Sequence, residues 1–165
     1  MTEPALYVGT YAKYNNGSIE GAWLKLFDYD NRKEFYDACR KLHKDEADPE
    51  IMFQDHENLP SNMYSESGAP PDELWELKEY DENERKQIYS YWCEVDSSAN
   101  AKTILDIHCG EWDNWDDYVY HYVDICIDIP DHLSLYFDYK KFGDTLLYKY
   151  EVTDSGRGVY IFHKY

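Results

Sequence analysis

Asp113, Asp117, His121 and Asp124 follow one another at intervals of four, four and three residues inside the segment GEWDNWDDYVYHYVD, which starts at Gly110. On a helix that spacing lines side chains up along one face about 6 Å apart, because each residue rises about 1.5 Å. Such a carboxylate row has three uses: ligating a divalent cation, exchanging protons as an acid and base pair, or presenting fixed anions to a basic surface. The segment carries five carboxylates and five tryptophan or tyrosine rings but no lysine or arginine. Nothing within it neutralises the charge.

The first two uses find little support. In DNWDDYVYHYVD, Tyr118 stands where an EF-hand calcium loop needs glycine for its sharp turn, and Asp124 stands where the loop needs a bidentate glutamate. Zinc would have to draw on His108, Cys109, His121, Cys126 and His132, yet these form no CxxC, HExxH or closely spaced histidine pair. They read instead as buried thiols and surface imidazoles. Cys39 and His43 lie four residues apart on one helical face, but a cysteine nucleophile also needs an orienting group and an oxyanion site. No GxSxG, P-loop or GxGxxG sequence occurs. Among 34 acids some pair can always be named as a glycosidase dyad, so that reading gains nothing from the sequence. The expectation is a protein without catalysis, cofactor or metal.

The distribution of charge favours the third use. Across 165 residues, 34 acids face 16 lysines and arginines, for a net charge of -18. Residues 1–44 hold 6 acidic and 7 basic residues, and 140–165 hold 3 and 5. Residues 45–139 hold 25 and 4, a net charge of -21. A solubilising surface or a halophilic adaptation would scatter acids over the whole chain, so the near-neutral ends count against both. Charge of this sign repels nucleic acid and anionic membrane surfaces and attracts a basic protein. The 43% hydrophobic composition is enough to build cores, and the 18% aromatic share argues against disorder. No apolar run approaches the ~20 residues of a membrane span. The first residues lack a secretory pattern and the four cysteines are well separated, which together predict a reducing cytoplasm.

The elements that must position these acids follow from periodicity. Strands are predicted near residues 5–11 and 19–26, joined by a hairpin turn at NNGS. Asn31 caps a helix with Glu34 three residues on, a Phe35, Ala38/Cys39 and Leu42 stripe, an Arg32, Lys33, Arg40 and Lys41 face, and an end at Pro49; IMFQD adds a short strand. Pro, Gly and Ser accumulate in NLPSNMYSESGAPP, marking a linker. Helices are then predicted over PDELWELKEY, over the segment capped by Asp81 with its Ile88, Tyr91/Trp92 and Val95 stripe, and over SSANAKTIL. LDIHC reads as a strand, and a helix from Asp113 has Trp115, Tyr118/Val119 and Tyr122/Val123 as its apolar stripe. Helices in DHLSLY and YKKFGDTLLY precede a closing hairpin whose turn is DSGRG. Trp75, Trp92, Trp112 and Trp115 read as core anchors of small modules. The order predicts an α+β protein of three small domains at 1–61, 62–103 and 104–165.

Three such modules in a row would extend roughly 75 Å, the length of a duplex with roughly 44 phosphates at ~1.7 Å of axis each. The 34 acids are of that order. A partner whose basic groove is built to release counterions from duplex DNA could bind such a surface with no base being read.

The stretches YVGTYAKYNNGSIEGAW (7–23), EFYDACRKLHKDEADPEIMFQD (34–55), CGEW (109–112) and LSLYFDYKKFGDTLL (133–147) closely resemble the ArdA antirestriction proteins, through nearly the whole chain. The last stretch is similar to the family's antirestriction motif. The resemblance implies a protein of a mobile genetic element, acting in the cytoplasm of a bacterial host, that mimics B-form DNA and inhibits type I restriction-modification enzymes at their methyltransferase core. It also implies an elongated chain of three small domains and a homodimer through the third, with Leu135, Tyr136, Phe137, Tyr139 and Phe142 at or beside the interface. His56 departs from the family pattern, standing where an aromatic residue is expected, and the basic helix near Lys41 and Lys44 departs from a uniformly acidic mimic.

On this reading the partner-facing carboxylates are Asp45, Glu46, Asp48, Glu50, Asp55, Glu57, Glu66, Asp72, Glu73, Glu76, Glu79, Asp81, Glu82 and Glu84, continuing through Glu94, Asp96, Asp106, Glu111, Asp113, Asp116, Asp117, Asp124, Asp128, Asp131 and Asp138. The alternative from another class is an acidic module that docks on an unrelated basic DNA-binding protein, which needs only a patch where a mimic needs two helical tracks.

Overall fold

The structure is a computed structural model that describes residues 3–164. It has the expected α+β class, with two three-stranded antiparallel sheets and helices packed on them. The chain divides between Arg85 and Lys86 into two compact units.

In the first unit, β1 (Ala5–Thr10) lies between β2 (Ala22–Lys25) and β3 (Ile51–Glu57). As the central strand it is buried at every position but Tyr7, which explains its run of apolar and small residues. The expected hairpin is present, with Ala5 opposite Lys25 and Val8 opposite Ala22. Its connection differs from a tight turn. Thr10 Oγ1 accepts from the Lys13 N–H and starts a helix, α1 (Tyr11–Asn15), which shortens both strands. The predicted strand IMFQD joins the sheet as β3, paired with β1 from Ala5 through Thr10.

Helix α2 (Arg32–Leu42) begins as predicted, with Asn31 Oδ1 accepting from the Glu34 N–H at 3.0 Å. It ends well before Pro49, because His43 leaves the helical path and turns its ring inward, where Nε2 lies 3.2 Å from the Val8 carbonyl. Phe35 centres the core against Phe53, Trp75, Tyr29 and Tyr36. The segment after β3 is packed onto this core: Leu59, Met63 and Ala69 are buried, and Phe53 N–H donates to Glu66 O at 2.8 Å. His56 accounts for the missing aromatic there, since its ring packs on Tyr64 at 4.6 Å and Nδ1 lies 2.7 Å from the Tyr64 hydroxyl. The short α3 (Glu73–Glu76) and the 3-10 turn Leu77–Glu79 complete the unit, with Leu74, Trp75 and Leu77 buried and the Trp75 indole donating to Leu26 O at 3.0 Å.

Helix α4 (Glu82–Glu94) runs across the division. Asp81 and Glu84 form its capping box, Asp81 Oδ1 accepting from the Glu84 N–H at 2.9 Å and Glu84 Oε2 from the Asp81 N–H at 2.8 Å. Ile88, Tyr91 and Trp92 are buried as predicted, while Val95 is exposed. The predicted central module, 62–103, is thus shared between the two units.

In the second unit α5 (Ala101–Asp106) consumes the first residues of LDIHC, and the strand starts later, as β4 (His108–Trp112). β4 pairs with β6 (Val159–His163), which also pairs with β5 (Tyr150–Asp154) around the predicted DSGRG turn, where Gly156 adopts a φ of 81°. Gly158 lets the two chains approach: a Cβ there would collide with the Trp112 carbonyl. Helices α6 (Trp115–Cys126) and α7 (Tyr139–Leu146) cover the sheet around Tyr118, Val119, Val123, Leu146, Tyr150 and Ile161. The helix predicted in DHLSLY is instead a turn followed by 3-10 residues Ser134–Tyr136, anchored by Leu133 N–H donating to Pro130 O.

Candidate functional site

The cap of α6 is Asn114, whose Oδ1 accepts from the Asp117 N–H at 3.0 Å while its Nδ2 donates to Asp117 Oδ2 at 3.0 Å. Asp113 therefore precedes the helix, and the predicted four-member row shortens to Asp117, His121 and Asp124 on the exposed face. The predicted apolar stripe holds, with Tyr118, Val119 and Val123 buried and Trp115 and Tyr122 half-buried. His121 is committed to the Trp112 ring, 4.7 Å away.

All of the 25 acids from Asp45 to Asp138 are exposed except Glu46 and Glu84. Glu84 belongs to the α4 capping box, and Glu46 accepts from the Thr10 hydroxyl at 2.6 Å. Asp45 meets the Lys13 ammonium at 3.0 Å, and that hydrogen-bonded pairing holds its carboxyl below the usual range. Asp96 is held low by the Ser98 hydroxyl and N–H closing a turn on it. Glu111 accepts from Arg157 through both carboxylate oxygens, at 3.3 and 3.1 Å. Among the described residues, Asp113, Asp116, Asp117, Asp124, Asp128, Asp131 and Asp138 have no lysine or arginine within 4 Å. This run is an exposed, uncompensated anionic surface.

Helix dipoles sort these acids further. Asp116 and Asp117 occupy the first turn of α6, where the positive end of the helix favours anions by about 0.3–1 kcal/mol each. Asp124 occupies the last turn, which has no basic residue, and there the same dipole opposes it.

The catalytic alternatives acquire no geometry. Cys39 is buried, and burial pushes its thiol up to about 12, far from a reactive thiolate. His43 is engaged by Val8 O and by Lys13 Nζ, 3.3 Å from Nδ1. Among the described residues no three His, Cys, Asp or Glu side chains cluster as metal ligands. Among the described residues, no helix is long and apolar enough to cross a membrane.

Of the residues expected at a dimer interface, Leu135 and Tyr136 are 93% and 83% exposed, projecting from the 3-10 turn. Phe137, Tyr139 and Phe142 are half-buried and pack on one another and on Tyr122 and Tyr120 within their own unit. Tyr120 was not singled out by the sequence, since it falls between the apolar stripe and the acidic row. It stands 54% exposed on the acidic helix, one turn from Asp116.

No curated protein matches the chain. Residues 6–160 match the model of a family described as Antirestriction protein (ArdA), nearly the whole length, and on that match the chain belongs to the ArdA antirestriction family.

Proposed function

We propose that the chain exerts its antirestriction activity as an acidic mimic of B-form DNA, occupying the DNA-binding groove of a type I restriction-modification enzyme at its methyltransferase core. The observation that carries this reading is the exposure of 23 of the 25 acids between Asp45 and Asp138 in a stretch holding four basic residues. A groove that binds duplex DNA is lined with cations placed for phosphates, and it gains from any fixed anions that reach them. Long-range attraction speeds encounter, and close approach replaces the groove's counter-charges with carboxylates. No base is read, so one inhibitor serves against enzymes of different sequence specificity.

The same reading keeps three modules, 1–61, 62–103 and 104–165, and a homodimer in which exposed Leu135 and Tyr136 meet the partner copy, supported by Phe137, Tyr139 and Phe142. The protein acts without catalysis, in the cytoplasm of a bacterial host reached by a mobile genetic element.

The test is a gel-shift competition in which the protein is added to a type I methyltransferase already bound to its target duplex. The duplex should be released, with an inhibition constant that weakens steeply as salt rises from 50 to 200 mM. Inhibition that ignores salt, or that proceeds without releasing the duplex, overturns the proposal.

A further inference from the structure

Between α6 and α7 lies a recess lined by Asp116, Val119, Tyr120, Tyr139 and Lys140. Its volume of about 40 Å³ is room for about three waters at roughly 10–15 Å³ each. Tyr120 and Tyr139 form its aromatic wall, with ring centroids 4.7 Å apart and planes tilted by 41°. Asp116 and Tyr120 are one helical turn apart, so a carboxylate and the rim of a ring border the same opening. Among the described residues Asp116 has no cationic partner, and Lys140, at the other border, makes no ion pair with it.

We infer that this recess receives an arginine side chain of the partner's DNA-binding groove, the guanidinium meeting the Asp116 carboxylate and lying against Tyr120. The inference rests on the reading of the acidic surface as a DNA mimic and adds to it a discriminating contact. The guanidinium fork suits a phosphate as well as a carboxylate, so what the recess adds over a phosphate is the ring beside the anion. A carboxylate beside an exposed ring favours arginine, whose planar, weakly hydrated guanidinium stacks on aromatic faces and offers a fork of donors to the carboxylate. Lys140 opposes the incoming cation. It also sits in the first turn of α7, where the helix dipole disfavours positive charge, so its placement is not explained by helix stability. It weakens the site and is a position at which affinity can be raised.

The experiment measures inhibition of the intact type I methyltransferase by the full chain and its variants, at two salt concentrations, with near-ultraviolet circular dichroism confirming each fold. Tyr120→Leu should weaken inhibition about 2- to 30-fold, the range of a cation–π contact from exposed to desolvated, without changing the salt dependence. Tyr120→Phe keeps the ring and should inhibit like the wild type. Lys140→Ala should inhibit more tightly, and Asp116→Asn should lose more than Asp128→Asn, which neutralises an exposed acid outside the recess. Equal inhibition by Tyr120→Leu and the wild type, or equal losses in Tyr120→Leu and Tyr120→Phe, overturns the arginine site. Salt-dependent inhibition by the wild type in that same experiment leaves the mimicry standing, whereas salt-independent inhibition overturns both.

Discussion

Neutralising Asp124 should stabilise the protein while weakening its inhibition. Asp124 lies two residues from the end of α6, in a last turn without a basic residue, and is exposed with no cation within 4 Å among the described residues. The dipole at a helix C-terminus disfavours an anion by about 0.3–1 kcal/mol and favours a cation by as much. Asp124→Asn should therefore gain about 0.3–1 kcal/mol, and Asp124→Lys about 0.6–2 kcal/mol. The unit that holds α6 spans residues 86–165. For a domain of that size 1 kcal/mol moves Tm by about 4–8 °C, so Asp124→Asn should raise the melting temperature by about 1–8 °C. Calorimetry at low ionic strength measures this, and at 1 M salt, where the screening length falls to about 3 Å, the gain should largely vanish. Inhibition of the methyltransferase should move the other way, with Asp124→Lys weaker than Asp124→Asn. A destabilised Asp124→Asn would show that the carboxylate is held by favourable contacts. Unimpaired inhibition by Asp124→Lys would show that this face of α6 does not meet the partner.

Three further outcomes follow from the buried polar groups. Burial against Tyr160 and Phe162 lowers the pKa of His108, so above about pH 6.5 its ring is neutral in both states, and below that the unfolded chain takes up a proton that the folded ring resists. Stability should fall with pH below 6.5, and His108→Phe should flatten that slope in urea titrations at pH 5, 6 and 7. Thiol labelling at pH 8 followed by mass spectrometry should mark exposed Cys126 first, then Cys93, whose thiol is pushed up by partial burial and by Glu94, and Cys39 only when the chain unfolds. Labelling of Cys39 at the rate of Cys126 would contradict its packing. Trp75→Phe removes the indole donor to Leu26 O, and because Tyr29 N–H also donates to that carbonyl at 3.3 Å, the loss should be about 1 kcal/mol in urea unfolding.

Local signals in the sequence were sufficient wherever a helix start or a sheet pairing was decided within a few residues. Asn31, Asp81 and Asp138 cap as their side-chain chemistry requires, and the hairpin around Gly156 closes as expected. Failures came where a side chain had a distant partner. His43 ends α2 early because Val8 O is waiting 35 residues away, which no helical period can reveal. Asp113 and Asn114 are both competent caps, and the choice of Asn114 depends on its reciprocal bonds with Asp117. Of the candidate site, exposure of the acids was legible from charge and period. The recess at Tyr120 was not, because it exists only once α7 brings Tyr139 alongside.

The placement of acids at helix ends separates those that serve the fold from those that do not. Asp81 and Asp138 at caps, and Glu82, Asp116 and Asp117 in first turns, favour their helices whatever the protein binds. Glu94 closes α4, Asp106 closes α5 and Asp124 sits in the last turn of α6, and none of these three helices has a basic residue in that turn. Glu94 has a local use, accepting from the Asp154 N–H at 3.0 Å, but Asp106 and Asp124 have no such bond among the described residues. Helix α2, in the near-neutral part of the chain, ends with Arg40 and Lys41, as the dipole prefers. Helix α7, in the near-neutral tail, breaks the rule at both ends, with Lys140 and Lys141 in its first turn and Asp144 in its last, so misplaced charge is not confined to the acidic stretch. Solubility alone would be served by acids at any exposed position, including the many that cost nothing. Asp106 and Asp124 therefore cost their own helices, and the proposed mimicry supplies a reason to keep them, since a cationic groove would meet anions at those places.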